Sequence, residues 1–551
     1  MGYALLWIES LAAALLLIAA ATAYRALAPK HRHAQVLSVL AVAVPLIIGA
    51  AETTGAAFLA SMLIENNWLA YTAFWLICLL AGGGLVLWRG LRRAEGVRAA
   101  AAWPAARLAV GSAVALGLYF ITFWNMDTNV RLKLSSVRLE AGAMAVAAAP
   151  PRPPDQENAA LLYEKAFVLM KRIKDDDARW KETYQAKSSK WYRDWSKRDY
   201  DAKDPELRGY LKAQQATLAV LKRAAGKPGC YFERDYARPS LDIPLPELAR
   251  LRESARLLAA EARCKAADGQ VQAALENVAA IQSIARHVGA EPILISYLVS
   301  VAIDSVALDT LEGILTTTQP SAADLAALPA DETTSFQRAM RRSLVGEEAF
   351  GLSAFSMLSF EMPTEAVYQE VGIRGEGEKL GARIFAPLWR VYMLPDDLAG
   401  YRYYMKELRD SASLGFQAAR GRLQKLDEPR RVKRAGIISG LVLPAISRAC
   451  LRSTYAEAKH RLGRLALAVA SYRAKAGQFP AKLESLAPDY IAEIPIDPYD
   501  EKPLRLRSHP GGVTLYSLGE SDSDDGGTTE FDNSTGKGDI LFRVGDVPSG
   551  K

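Results

Sequence analysis

Residues Gly477–Gly527 read GQFPAKLESLAPDYIAEIPIDPYDEKPLRLRSHPGGVTLYSLGESDSDDGG, and this stretch decides the fold of the C-terminal part. Two short alternating runs, LRLRS at Leu504–Ser508 and VTLYSL at Val513–Leu518, flank HPGG at His509–Gly512. Alternation gives each run one apolar face, and the proline and glycines between them turn the chain back, so a β-hairpin is expected. Upstream, Leu462, Leu465, Val469 and Tyr472 step by three, four and three. That spacing lines one face of a long helix, which Lys475 and Gly477 close. A long helix laid across a small antiparallel sheet buries both apolar faces at once. An α+β domain is therefore expected over 431–551.

The loop after the hairpin, SLGESDSDDGGTTEFDNSTGKGDILF from Ser517 to Phe542, sets Asp522, Asp524, Asp525, Glu530, Asp532 and Asp539 among glycines. Calcium takes roughly six to eight oxygen ligands, which is the chemistry such a loop offers. It is not an EF-hand: counted from Asp522, the fifth residue is Gly526 and the twelfth is Asn533 rather than Glu. The order of elements is an amphipathic helix, Gly477-x-Phe479-Pro480, Leu483-x-x-Leu486, Asp497-Pro498-Tyr499, then Tyr516-Ser517-Leu518-Gly519 and an acidic glycine loop. Over Ala456–Val544 this resembles the globular domain of the major pseudopilin of type II secretion, general secretion protein G. The resemblance implies a pseudopilin-like fold and one calcium ion held by backbone carbonyls and aspartates. Asp522 and Asp539 match the family's ligand aspartates best, and Leu518 is placed to give a carbonyl oxygen. Lys537 stands where the family has a further aspartate, which leaves Asp525 and Asp532 as alternative ligands. The segment before the domain lacks the family's Gly-Phe-Thr-Leu-x-Glu start, so filament assembly is not expected.

Half of the 551 residues are hydrophobic, with the excess in the first ~125. Four apolar segments, Ala4–Ala26, Val36–Ile64, Trp68–Trp88 and Leu108–Trp124, are each long enough to cross a ~30 Å hydrocarbon core. A multi-domain membrane protein is expected, with a four-helix transmembrane anchor over 1–126. The first connecting loop carries Arg25, Lys30 and Arg32, and the third carries Arg89, Arg92, Arg93, Arg98 and Arg107. Positive loops stay in the cytoplasm, so both termini are expected outside it, from an inner (cytoplasmic) membrane. Glu52, inside the second segment, is either a functional intramembrane carboxylate or a hydrogen-bonding partner between helices.

A Pro-rich linker is expected over 127–155, ending in PPRPPD at Pro150–Asp155. An extracytoplasmic α-helical domain should come next, over 156–430. Within it Gly269 and Gly289 punctuate three helices, near 245–267, 270–287 and 292–316, with tetratricopeptide-like packing of the hairpin AEARCKAADGQVQAALE. Asp304 and Asp309 lie on the apolar third helix and should find polar partners in a helical core. His287 is read as a helix C-terminal residue facing the dipole. A Cys230–Cys264 disulfide is one possible pairing if the compartment is oxidising.

The sequence carries no Gly-x-Ser-x-Gly, no phosphate-binding loop and no paired histidines at helical spacing. A net charge of +7, spread along the chain, gives no nucleic-acid footprint. The expected function is non-enzymatic: a membrane-anchored envelope protein in contact with membrane lipid and with envelope or secretion proteins, with Ca2+ as cofactor and no small-molecule substrate. The alternative is a membrane transporter or channel component using Glu52.

Overall fold

The computed structural model describes residues 97–176, 201–240, 243–326, 336–360, 390–426, 437–520, 524–532 and 537–547. Helices run α1 Val97–Ala148, α2 Ala159–Asp176, α3 Pro205–Ala213, α4 Gln215–Ala225, α5 Pro246–Ala267, α6 Val271–Gly289 and α7 Leu294–Thr317. They continue as α8 Ala322–Ala326, α9 Phe336–Phe360, α10 Leu394–Ser411, α11 Phe416–Leu426 and α12 Ile437–Ala476. Three strands come after them, β1 Arg505–Ser508, β2 Gly511–Ser517 and β3 Ile540–Asp546, in one antiparallel sheet of order β1-β2-β3. The chain divides into two compact units. The first holds residues 1–137 and 355–397. Within it Asp127 accepts hydrogen bonds from Arg131 and Arg390, and the rings of Phe123 and Tyr392 lie 6.2 Å apart. The second unit holds 138–354 and 398–551.

The expected four-span architecture needs correction. Among the described residues one helix is long and apolar enough to cross a membrane, α7, and it is none of the four segments named above. More than half of its apolar window is buried inside the protein. It packs on α5, α6, α12 and β3, so it is apolar nearly all round because neighbours cover most of its surface. The first three expected segments, and Glu52, lie outside the described residues. The fourth falls within α1, which continues as helix to Ala148. Residues 127–148 are therefore helical rather than linker, and the extended Pro-rich stretch begins only at Pro150. The described protein is mostly helical, with one small sheet.

The helices read from Gly269 and Gly289 form close to their expected bounds. Gly269 adopts φ +79°, and the N–H of Gln270 returns to the carbonyl of Lys265 at 2.8 Å, closing α5 in a left-handed cap that glycine enters without strain. The hairpin also forms, pairing Leu506 with Leu515 and Ser508 with Val513. Leu462, Leu465 and Val469 are fully buried on α12, which lies on β2 and β3. One hydrophobic cluster runs from Tyr163 and Leu258 through Ile303 and Leu311 to Val513 and Phe542. Among the described residues, the helical array and the C-terminal α+β part share one interior, with α7 in contact with both.

Candidate functional site

The motif residues of the C-terminal part converge on Asp497, whose side chain is fully buried. Oδ1 accepts from the N–H of Tyr499 at 3.0 Å and the hydroxyl of Ser517 at 2.8 Å. Oδ2 accepts from the N–H of Leu518 at 3.0 Å and Arg505 Nη1 at 3.1 Å. Four donors satisfy a carboxylate that burial would otherwise destabilise by several kcal/mol. This node ties the Asp-Pro-Tyr turn to the end of β2 and fixes where the acidic loop leaves the sheet. Gly519, at φ +64°, starts that loop, and a Cβ there would meet the carbonyl of Gly538 at 3.0 Å.

The loop brings two of the expected ligand residues together. Asp525 accepts the N–H groups of Thr528 at 3.0 Å and Thr529 at 3.1 Å, in a local turn. Asp539, 0% exposed, accepts the N–H of Gly527 at 2.9 Å through Oδ2. Its Oδ1 is buried and meets no N–H or hydroxyl donor, which leaves the Asp525 carboxyl as its polar neighbour. The two carboxyl groups interact, and both are acceptors only when ionised. Burial first, and then the neighbouring Asp525, push the Asp539 carboxyl up to about 7. At Asp525 burial acts the same way, but the hydrogen bonds from Asp539, Thr529 and Thr528 outweigh it and hold the group down to about 2. A pair of this kind needs a proton or a cation between its oxygens.

Two of the other expected ligands make backbone hydrogen bonds of their own. Leu518 is buried and is tied to Asp497 through its N–H. Asp532 donates its N–H to the carbonyl of Lys537 at 2.9 Å, closing the loop tip. Asp522 lies outside the described residues. Among the described residues, no group of three or more His, Cys, Asp or Glu side chains forms a metal site. The residues present fit a divalent cation in one respect: a buried Asp539 oxygen that meets no N–H or hydroxyl donor, in a carboxyl that interacts with a second one. They could supply two ligands, and the segment holding Asp522 borders them in sequence.

Sequence reasoning missed what surrounds the pair. Asp524, counted among the loop acids, instead meets Arg505 Nε at 3.3 Å and caps the N–H of Gly526. Glu530 pairs with Arg543 Nη2 at 3.0 Å. Arg543 also reaches Glu312 on α7, whose Oε1 accepts from its Nη1 at 3.4 Å and its backbone N–H at 3.1 Å. β3 is an edge strand, and Glu312 takes one of the N–H groups on its free edge. A separation of 231 residues leaves no local signal for this pair.

Several other buried polar groups pair with one another. Asp304 meets His460 Nδ1 at 3.3 Å and Asp309 meets Lys459 at 2.6 Å, so the acids on α7 do find polar partners, on α12. Arg234 is held by Glu247 at 2.6 Å and Glu291 at 2.8 Å, and Ser296 donates to the second oxygen of Glu291. His287 accepts from the Tyr163 hydroxyl at Nδ1 and donates from Nε2 to the carbonyl of Lys227. Burial drives its pKa down to about 4, so it is neutral and does not serve the helix dipole as a cation. Cys230 and Cys264 are separate, buried free thiols. No family model, curated protein or solved structure matches the chain.

Proposed function

We propose that the chain is a non-enzymatic protein of the cell envelope, working outside the cytoplasm, in which a calcium-clamped α+β region of pseudopilin type is built into a helical array that binds protein partners. Two lines support this reading. The residues that carry the pseudopilin resemblance, Asp497, Tyr499, Ser517 and Leu518, act together in one buried node rather than as scattered matches. The observation that carries the metal is the fully buried Asp539 carboxyl, whose Oδ1 meets no N–H or hydroxyl donor and which interacts with Asp525. A divalent cation there turns the repulsion of two carboxylates into a clamp, and calcium suits an irregular loop of oxygens better than magnesium, which demands a tighter octahedron. Asp525 and Asp539 would hold the ion, and Asp522 is the third candidate.

Binding to the folded state alone stabilises it by mass action, ~2.7 kcal/mol at a hundredfold excess over Kd. The full chain, rather than its C-terminal part, is the object to melt, because the two share one core. Calcium should raise its melting temperature relative to chelator, magnesium should do less, and Asp539→Ala should remove the difference. Superimposable melting curves with calcium and chelator would refute the metal reading.

A further inference from the structure

We propose that the acidic loop and helix α7 are coupled, so that a cation seated on the Asp525–Asp539 pair is felt in the helical array through Glu530, Arg543 and Glu312. The inference rests on the calcium reading of that loop and adds its consequence. It begins at Asp539. The N–H of Asp539 donates to the carbonyl of Thr529 at 2.8 Å, and its own carbonyl accepts from the N–H of Phe531 at 2.9 Å. Glu530 is therefore held between two hydrogen bonds to the same residue. Whatever fixes Asp539 fixes the backbone of Glu530.

The Glu530 side chain is 60% exposed, yet it meets Arg543, whose side chain is only 9% exposed, at 3.0 Å. The other side of the same guanidinium meets Glu312, which is fully buried on α7. Arg543 is thus shared by a solvent-facing loop carboxylate and a buried helix carboxylate. Its planar fork suits two partners at once, whereas a lysine would offer a single point charge. Two further contacts seat the same loop on helices: Arg420 of α11 donates to the carbonyl of Glu520 at 3.4 Å, and the ring of Tyr455 on α12 lies 5.3 Å from that of Phe531. Without a cation, only the hydrogen bonds of the loop itself hold Asp539 and, through it, the grip of Glu530 on Arg543. With a cation, the chain of contacts is drawn tight as far as Glu312. Coupling of this kind requires a physical element shared by the two ends, and the Glu530–Arg543 contact is the one they share.

Hydrogen–deuterium exchange on the full chain, with calcium alone or with chelator, tests this. Calcium should slow exchange in the loop and, by about fivefold, in the C-terminal half of α7. Glu530→Gln leaves Glu312 and Arg543 paired and removes a largely exposed charge, so it should fold normally. It should keep the slowing in the loop and lose it in α7. Arg543→Lys should act in the same direction. If calcium protects the loop but leaves α7 unchanged, or if Glu530→Gln keeps the α7 response, the coupling is wrong while the calcium reading survives. If calcium neither binds nor protects the loop, both fall.

Discussion

Replacing Glu312 with alanine should be among the most damaging single changes in the chain. Its carboxylate is fully buried and holds Arg543 twice, at the backbone N–H and at Nη1. Removal leaves an edge-strand donor without its acceptor, which costs about 1–3 kcal/mol. It also leaves the Arg543 guanidinium with Glu530, a carboxylate that sits mostly in water. Breaking a buried ion pair typically costs about 3–5 kcal/mol, and the retained Glu530 contact places this case near ~3 kcal/mol. The two figures overlap and do not add. Glu312→Gln keeps an acceptor for the N–H and should lose about half as much. Urea unfolding of the full chain reads the difference as a fall in midpoint at constant slope. The double variant Glu312→Leu with Arg543→Met, which removes both charges, should recover most of the loss. If Glu312→Ala lies within ~0.5 kcal/mol of the parent, the range of an ordinary surface change, Glu312 does not anchor β3 to α7.

Other consequences can be checked in the same way. In the presence of chelator, stability should fall as pH rises from ~4 to ~7, because folded Asp539 holds its proton up to about 7 while the unfolded residue releases it near ~4. Saturating calcium should abolish the slope; a flat chelator profile would contradict it. Asp525 acts with the opposite sign, its contribution being present above ~4 and lost as pH falls through about 2. Asp497→Asn should cost ~3 kcal/mol, since its amide nitrogen must face a donor; a loss below ~1 kcal/mol by thermal or urea unfolding would show that the node relaxes. Gly346→Ala would drive a methyl carbon into the carbonyl oxygen of Pro292, so α9 must shift; about 1–3 kcal/mol or more is expected, and no change in midpoint would contradict the packing.

Local patterns carried the local structure. Three- and four-residue steps at Leu462, Leu465 and Val469 marked the buried face of α12, and period-two alternation around HPGG marked the hairpin, because each depends on neighbours in sequence. Apolarity was the weaker guide. The stretch Leu294–Thr317 is as apolar as a span, but its acids reveal its setting: Asp304, Asp309 and Glu312 each meet a basic side chain from the C-terminal part. Those partners lie 150 residues or more away, so the sequence offered the acids without their bases. The same limit applied at the loop. Asp539 stood out through the family pattern, while its pairing with Asp525 and the role of Glu530 depend on how Gly527 and Thr529 fold the loop back.

Whether a cation replaces the Asp539 proton can be read by calorimetric titration of the full chain with calcium near pH 6, in two buffers of different ionisation enthalpy. A cation that takes the place of that proton must release it. One site is expected, with close to one proton released per calcium, and Asp539→Asn should lose both binding and release. Absence of binding heat, or binding with no proton release, would contradict the calcium clamp.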